Sequence, residues 1–359
     1  MRKQDRGGTM PMKDLSIGIA HYNDFDGAYF TIQDIRKELL FNGRSDLLDR
    51  IEFVIIENNK TSDHAEQLKD FAVYNLSHTR SLNYNIFNTN GTAAVKNKIV
   101  ELATGKFVLV LDCHVLLCPT VSTIEKIFDF IEKNPETDDL YNGPLVHDNM
   151  FGVSTHCKDE WRDGNWGVWS TAFRCDCEEF LFDVLTNEEE ISTYCILTGD
   201  KVTSCPKCDR KLPESKEEFS SQLSKKELLP SCISLDEKPF EIFSQGTGCF
   251  LVRKESWLGY NEHALGFGGE ECYIHEKYRK NGRKAYCLPF LKWLHRFRRV
   301  DDVEYPSEVE YKLRNYILEF IELELDLSPV YDHFVKENEF DEIVYNSFVR
   351  EAKYLYNKE

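Results

Sequence analysis

The sequence lacks the features that define several large classes of protein. It has no run of about 18 consecutive apolar residues, so we expect no transmembrane helix. The polar N-terminus, residues 1–13, lacks the apolar core of a signal peptide, and we expect it to be flexible and the protein to be cytoplasmic. Positive charge is scarce, because 44 Lys and Arg stand against 62 Asp and Glu, for a net charge of −18. This balance argues against a broad nucleic-acid-binding surface.

Two glycine-rich phosphate-binding motifs are absent as well. No G-x-G-x-x-G follows the first predicted strand, and no G-x-x-x-x-G-K-[ST] occurs in the chain. These absences disfavour a dinucleotide-binding fold and a P-loop fold. If the protein binds phosphates, it must therefore hold them by other means, such as a metal ion.

What is present is an alternation of strand and helix patterns over the first 135 residues. Strands are predicted at 14–20, 51–56 and 107–111, and helices after the first strand, at 91–104 and after Pro119. This alternation predicts an α/β fold with a mixed, mostly parallel sheet flanked by helices. A chain of 359 residues has room for one large α/β domain or two small ones.

The unbroken apolar strand 107–111 ends next to Asp112 and His114. Residues two apart on a strand point to the same side, so these side chains can meet beyond the strand end, where open α/β sheets bind ligands. A carboxylate with an imidazole suggests a divalent metal ion shared with substrate phosphates. The alternative is ordinary hydrogen bonding of both side chains within a loop.

The order of the motifs resembles that of GT-A fold glycosyltransferases in the family-two-like group, from about residue 14 to about residue 300. The segments that carry the resemblance are the loop with Tyr22, Asn23 and Asp26, the run Glu57-Asn58-Asn59, the stretch GTAAVKN at 91–97, Asp112-Cys113-His114, SQGTGCFLVRK at 244–254, FGGEE at 267–271, the ending Arg279-Lys280-x-Gly282, and Trp293-Leu294-His295-Arg296. Each motif is weak alone, but their order is specific.

The resemblance implies a transferase that uses a nucleotide-diphosphate sugar, with a UDP-sugar as the favoured donor. It assigns donor contacts to Tyr22, Asn23, Asp26, Glu57, Asn58, Lys96, Asn97, Asp112 and Arg296, with Lys96 where arginine is usual. The Asp112-x-His114 form is that of polypeptide N-acetylgalactosaminyltransferases, and His295 stands where such enzymes bring a distal histidine to the metal. A mixed oxygen and nitrogen ligand set suits Mn²⁺ better than Mg²⁺.

The same resemblance places Glu271 and Glu270 at the acceptor side. In an inverting enzyme one carboxylate takes the proton of the acceptor, whereas in a retaining enzyme neither does. Glu271 stands where Asp or Asn is usual, so the stereochemical outcome stays open. Capping of the following helix is the alternative role for both residues.

Other side chains have two interpretations. Arg296 either clamps diphosphate oxygens or belongs to a solvated basic turn with Arg298 and Arg299, paired with Asp301 and Asp302. The tryptophans of a glycine-containing loop either stack on a sugar or fill a core; they are Trp161, Trp166 and Trp169.

An insert at residues 170–215 interrupts the resemblance. It carries Cys175-x-Cys177 and Cys205-Pro-Lys-Cys208, a spacing that fits a structural Cys₄ zinc ribbon, with Cys157 and Cys195 as substitute ligands. Reduced thiols without a metal are the alternative. The 12 cysteines of a cytoplasmic protein favour thiols and metal ligands over disulfides.

The sequence thus predicts a catalytic domain at 14–300 and a helical extension at 301–359, in a metal-dependent glycosyltransferase. We expect no membrane partner, while the acceptor (a glycan, a protein or a modified nucleobase) and the oligomeric state stay open. One alternative is an inactive GT-A-like module that binds a partner through the insert and tail. Another is a nucleotidyltransferase, which the missing glycine-rich, lysine-bearing loop disfavours.

Overall fold

The computed structural model describes residues 13–76, 82–89, 91–148, 150, 152–175, 177, 181–186, 191–223, 238–297 and 308–357. Residues 1–12 of the N-terminus that was predicted to be flexible lie outside this description, as do Arg298, Arg299, Asp301 and Asp302.

Strands and helices largely alternate up to Lys133, and eight strands then follow one another between Leu140 and Cys195. The strands are β1 (Leu15–His21), β2 (Ile51–Glu57), β3 (Leu82–Ile86), β4 (Phe107–Asp112), β5 (Val115–Leu117), β6 (Leu140–Asn142), β7 (Leu145–Val146), β8 (Val153–Ser154), β9 (His156–Arg162), β10 (Asn165–Ser170), β11 (Phe173–Arg174), β12 (Leu181–Thr186), β13 (Ile191–Cys195), β14 (Phe240–Glu241), β15 (Cys249–Arg253), β16 (Ala285–Cys287) and β17 (Trp293–His295). The helices are α1 (Phe25–Phe41), α2 (Ser45–Asp49), α3 (Asp63–Phe71), α4 (Thr92–Leu102), α5 (Thr120–Lys133), α6 (Lys216–Leu223), α7 (Glu270–Lys280), α8 (Val309–Glu322), α9 (Ser328–Tyr331) and α10 (Glu342–Leu355).

An eight-stranded sheet with the order β14-β16-β6-β15-β4-β1-β2-β3 forms the centre of the molecule. Strands β1 to β4 pair in parallel, and β15 runs antiparallel between β4 and β6. The predicted α/β fold with a mixed sheet flanked by helices is therefore confirmed.

Strand β4 shows why the sheet is covered on both faces. All five residues from Phe107 to Leu111 are buried. Leu109 belongs to one core with α1 and α5, and Val110 to the opposite core with α4 and α7. Because successive side chains alternate across a sheet, an unbroken apolar run needs helices on both sides.

A second sheet, with the order β5-β17-β7-β8, stands beside the end of β4. Strand β17 pairs antiparallel with β5, and His295 lies opposite Val115 in that register. This pairing brings the end of the GT-A-like region next to the turn that follows β4.

The stretch 161–169, predicted as a loop, lies within a β-hairpin of β9 and β10. Strands β11, β12 and β13 of the insert form a separate three-stranded sheet.

The helical tail predicted for 301–359 is present in the described part of this range. The apolar face of α8 starts at Leu313, since Val309 in the first turn is 53% exposed. No helix among the residues described has the length and apolar character to cross a bilayer.

Candidate active site

Three predicted metal ligands converge at the end of strand β4. Asp112 ends β4, His114 lies in the turn to β5, and His295 ends β17. The Nε2 atoms of His114 and His295 lie 3.2 Å apart, and His295 Nε2 lies 4.0 Å from Asp112 Oδ2. One ligand atom from each residue falls within 4.8 Å of the other two.

The geometry of these three side chains fits a divalent cation. Two ligands at right angles on an ion with bonds of about 2.1 Å are about 3 Å apart, which is close to the separation of the two imidazole nitrogens. Burial raises the pKa of Asp112, but the charges of Lys96, His114 and His295 outweigh burial and leave the pKa below its usual value. Asp112 is therefore a carboxylate at neutral pH, as a metal ligand must be.

Asp24, which the sequence reasoning missed, holds two groups of this site. Its Oδ2 lies 3.0 Å from His114 Nδ1, and its Oδ1 accepts a hydrogen bond of 2.5 Å from Arg296 Nη2. Burial raises the pKa of Asp24, but hydrogen bonds and charge from His114 and Arg296 outweigh burial and lower it far below normal. A carboxylate at Nδ1 fixes the proton there and leaves Nε2 of His114 free for a metal.

The sequence signal for Asp24 was its place at the start of α1. Asp24 is the N-cap of α1, and its side chain accepts a hydrogen bond of 3.1 Å from Gly27 N. The resemblance assigned the donor contact to Asp26 instead, but Asp26 is exposed in the first turn and does not line the cleft. The buried acid of this loop is therefore Asp24 and not Asp26.

A cleft of about 930 Å³ opens beside the three ligands. On the side of β1, β2 and α4, it is lined by His21, Tyr22, Asn58, Thr92, Val95 and Lys96. Glu57 lies beneath this surface, where its Oε2 is 2.6 Å from His21 Nδ1 and both side chains are fully buried. Most predicted donor contacts of these elements are therefore at the cleft or directly under it.

Two predicted donor contacts make structural hydrogen bonds away from the cleft. Asn23 Oδ1 accepts from Asn59 Nδ2 at 2.9 Å. Asn97 Oδ1 accepts from Tyr260 N at 2.8 Å and so ties α4 to the loop after β15. Neither side chain lines the cleft.

Lys96 lies at the floor of the cleft and is only 3% exposed. Its Nζ donates to the Thr247 carbonyl at 2.9 Å and lies 3.3 Å from Asp112 Oδ1. Burial lowers the pKa of Lys96, but Asp112, Glu270 and Glu271 raise it to a net value above normal. Lys96 is therefore a cation that holds one oxygen of Asp112, while the other oxygen is the one nearer to His295.

The two adjacent glutamates have different environments. Glu270 accepts hydrogen bonds from Thr92 Oγ1 at 2.8 Å and Gly268 N at 2.9 Å, so both its oxygens are engaged. Glu271 lines the cleft. Burial, together with the neighbouring charge of Glu270, raises the pKa of Glu271 to about 8.

The three tryptophans differ in their surroundings. Trp166 and Trp169 line the cleft, as does Tyr316 of the helical tail, whose hydroxyl accepts from Trp166 N at 2.8 Å. Trp161 packs on Tyr316 with ring centroids 4.8 Å apart, and both Trp161 and Trp166 pack against the core of the tail. The core-filling alternative therefore holds for Trp161, whereas Trp166 both packs on this core and lines the cleft.

The four cysteines predicted as zinc ligands form one cluster. The sulfurs of Cys175 and Cys208 are 3.7 Å apart, and those of Cys177 and Cys205 are 3.6 Å apart. All four sulfurs lie within 4.8 Å of one another. Neither Cys157 nor Cys195 belongs to this cluster.

Comparisons with known proteins bear on the family and the fold of this chain. Residues 16–158 match the model of the family described as glycosyl transferase family 2. No curated protein sequence matches the chain. The chain is similar to the crystal structure of GalNAc-T7 with UDP, GalNAc and Mn²⁺, with a TM-score of 0.50 and 14% identity over 96% of this chain and 57% of that one.

Two further solved structures have lower scores. Staphylococcus aureus TarS 1–349 in complex with UDP-GlcNAc has a TM-score of 0.42 and 13% identity, over 88% of this chain and 69% of that chain. The mannosyltransferase PcManGT from Pyrobaculum calidifontis, in complex with GDP-Man and Mn²⁺, has a TM-score of 0.42 and 12% identity, over 96% and 70%. The chain spans little more than half of the GalNAc-T7 chain, and this likeness bears on the fold. Residues 16–158 thus match glycosyl transferase family 2, and the likeness of the whole chain to GalNAc-T7 supports the predicted GT-A fold.

Proposed function

We propose that this protein transfers a sugar from a nucleotide diphosphate, with UDP as the nucleotide, to an acceptor hydroxyl or amide, using Mn²⁺ held by Asp112, His114 and His295. The observation that carries the proposal is the convergence of one carboxylate and two imidazole Nε2 atoms in the cleft of a family 2 domain. The catalytic domain is proposed as 14–300, with the insert 170–215 within it and the extension 301–359 packed against it.

The chemistry needs charge stabilisation at the departing diphosphate. A divalent cation between the three ligands would neutralise negative charge on both phosphates as the sugar leaves. Arg296 would bind further phosphate oxygens, because its Nε is buried without a hydrogen-bond partner among the described residues while Asp24 holds its Nη2. Asp24 would keep both Arg296 and His114 oriented, and Lys96 would keep Asp112 in place.

Glu271 is the proposed acceptor-side residue, because Glu270 already has both oxygens hydrogen-bonded. In an inverting reaction the Glu271 carboxylate would accept the proton of the attacking group. In a retaining reaction it would orient the acceptor. The anomeric configuration of the product decides between these two roles.

We also propose that Cys175, Cys177, Cys205 and Cys208 hold a structural Zn²⁺. Sulfurs bound at about 2.3 Å to a tetrahedral zinc lie about 3.8 Å apart, and the observed separations are 3.6 and 3.7 Å. In addition, Lys207 N donates to Cys205 Sγ at 3.4 Å, as expected in a turn that carries a thiolate ligand. Metal content of the purified protein tests this site directly.

The transfer proposal is tested with a panel of UDP-sugars and GDP-mannose, with and without Mn²⁺, by thermal shift and by release of nucleoside diphosphate. We expect one donor to stabilise the protein only with Mn²⁺ and to yield UDP slowly, with water as acceptor. In a parallel assay with UTP and a sugar 1-phosphate, release of pyrophosphate would instead support the nucleotidyltransferase alternative. Donor binding with no cleavage of any donor, by the protein alone or with glycan and peptide acceptors, would support the inactive module.

A further inference from the structure

The β9–β10 hairpin forms one wall of the cleft, and Trp166 and Trp169 are among the residues that line it. The register of the hairpin shifts between Trp166 and Val168, where Asp159 and Glu160 of β9 lie opposite Gly167 of β10. Gly167 has a φ of 104°. The hairpin therefore carries a β-bulge at the cleft wall, with the additional residue on β9.

One carboxylate of the insert holds both strands of this hairpin. Asp183 Oδ2 accepts a hydrogen bond of 3.0 Å from Ser170 Oγ, lies 2.8 Å from Lys158 Nζ, and lies 3.8 Å from His156 Nε2. Ser170 follows Trp169 directly. Asp183 is 1% exposed, so these contacts are shielded from water and from salt.

The position of Asp183 depends in turn on the cysteine cluster. The preceding residue, Phe182, is buried in the small core that contains Cys175 and Cys205. Side chains alternate along a strand, so β12 directs Phe182 towards the cysteines and Asp183 towards the hairpin. Among the described residues, the buried members of this core are Cys175, Phe182, Cys205 and Leu212. A core of so few apolar side chains adds little stability by itself, so we expect a metal to contribute most of the order of this part of the insert.

From these contacts we infer that zinc in the insert fixes the hairpin that forms the Trp166 and Trp169 wall of the cleft. The inference rests on the proposed zinc site, and its meaning for acceptor binding rests on the proposed transfer reaction. Zinc orders β11 to β13, this order positions Asp183, and Asp183 holds Lys158 and Ser170. The zinc site thus acts on the acceptor side of the cleft without contact to the donor site.

The test is hydrogen–deuterium exchange of the full chain, measured by mass spectrometry without any nucleotide sugar. Zinc-loaded protein is compared with protein from which zinc has been removed by a thiol-reactive mercurial and a chelator. We expect amides of 156–170 to exchange at least tenfold faster after zinc removal. Amides of α4 and β4 should not change, which shows that the central sheet remains folded.

Asp183→Asn provides a second variant that leaves the cysteines intact. We expect it to retain one zinc per chain and still to show faster exchange in 156–170. The matched control is Asp200→Asn, because Asp200 lies in the same insert but is exposed in the loop that follows β13. Unchanged hairpin exchange in zinc-free protein, or in Asp183→Asn at full zinc content, would overturn the inference. Exchange needs no turnover, so a failure of the transferase proposal would be seen separately, in the donor-cleavage assay.

Discussion

Two of the side-chain clusters that could hold a metal ion differ in both chemistry and assembly. The cluster in the cleft combines a carboxylate with two imidazoles, and Asp112 and His295 are 183 positions apart in the sequence. The cluster in the insert consists of four thiols within 34 positions, from Cys175 to Cys208. Three protein ligands leave coordination positions for a substrate, whereas four thiolates complete a tetrahedral shell. This difference supports our proposals that the first cluster serves chemistry and the second serves structure.

The largest effect is expected from variants that remove one side chain of the cleft cluster and leave the insert cluster intact. Asp112→Ala or His114→Ala should lower Mn²⁺-dependent UDP release by at least about 1,000-fold, since the charge of the leaving diphosphate loses its stabilisation. The melting temperature should change by only about 2–4 °C, because these side chains lie at a strand end beside the cleft. Donor cleavage assays and thermal melts test both statements. Wild-type activity in either variant would exclude the proposed metal site.

The reverse experiment removes one thiol of the insert cluster and leaves the cleft cluster intact. Cys205→Ser should remove most of the zinc and lower the melting temperature by about 5 °C or more, since metal binding contributes directly to the folding of small domains. Donor cleavage should fall much less than in Asp112→Ala. Metal analysis and thermal melts measure these outcomes. Full zinc content in Cys205→Ser would show that the four thiols are not the ligand set.

A substitution of Asp24 tests how the side chains of the cleft cluster are held in place. Asp24→Asn should weaken Mn²⁺ binding about 10- to 100-fold, because His114 loses the carboxylate that orients its ring. Titration calorimetry with Mn²⁺ alone measures this effect without turnover. Asp70→Asn, an exposed substitution on α3, is the matched control. Equal Mn²⁺ affinity in Asp24→Asn and wild type would show that Asp24 does not support the ligand.

The last expected effect concerns the pH dependence of stability. The pKa of Glu271 rises in the folded state from the ordinary 4.5 to about 8, so between these values the folded chain binds the additional proton. The contribution of Glu271 to the unfolding free energy therefore decreases as pH rises through this window. This decrease should be absent in Glu271→Gln. As the pH rises from 5 to 9, the unfolding free energy of the variant should therefore increase by on the order of 1–3 kcal/mol relative to that of wild type. Urea unfolding at pH 5 and at pH 9 measures the unfolding free energy of both proteins. An equal change in the two proteins between these pH values would contradict the raised pKa of Glu271.

Local patterns in the sequence were sufficient for several parts of the site. The apolar run of β4 predicted a strand buried on both faces, and the two-residue spacing of Asp112 and His114 predicted that they share a side. The cysteine spacing predicted which four thiols meet. His295 came from the resemblance, because no local pattern relates it to Asp112.

Other features could not be read from local patterns. Glu270 and Glu271 are neighbours of one residue type, and only the contacts of Thr92 and Gly268 with Glu270 distinguish their environments. Asp24 reads as a helix cap in the sequence, and its contact with His114 joins residues 90 positions apart.

The sequence by itself determined strand β4, the acid–imidazole pair at its end and the four cysteines of the insert. Each of these depends on residues that are close together in the sequence. Only the tertiary structure decided which distant side chains complete the site. The antiparallel register of β5 and β17 sets the position of His295, and the packing of α8 against the β9–β10 hairpin brings Tyr316 to the cleft. The physical reason is that sheet register and helix packing depend on the whole core, whereas strand periodicity depends only on neighbouring residues.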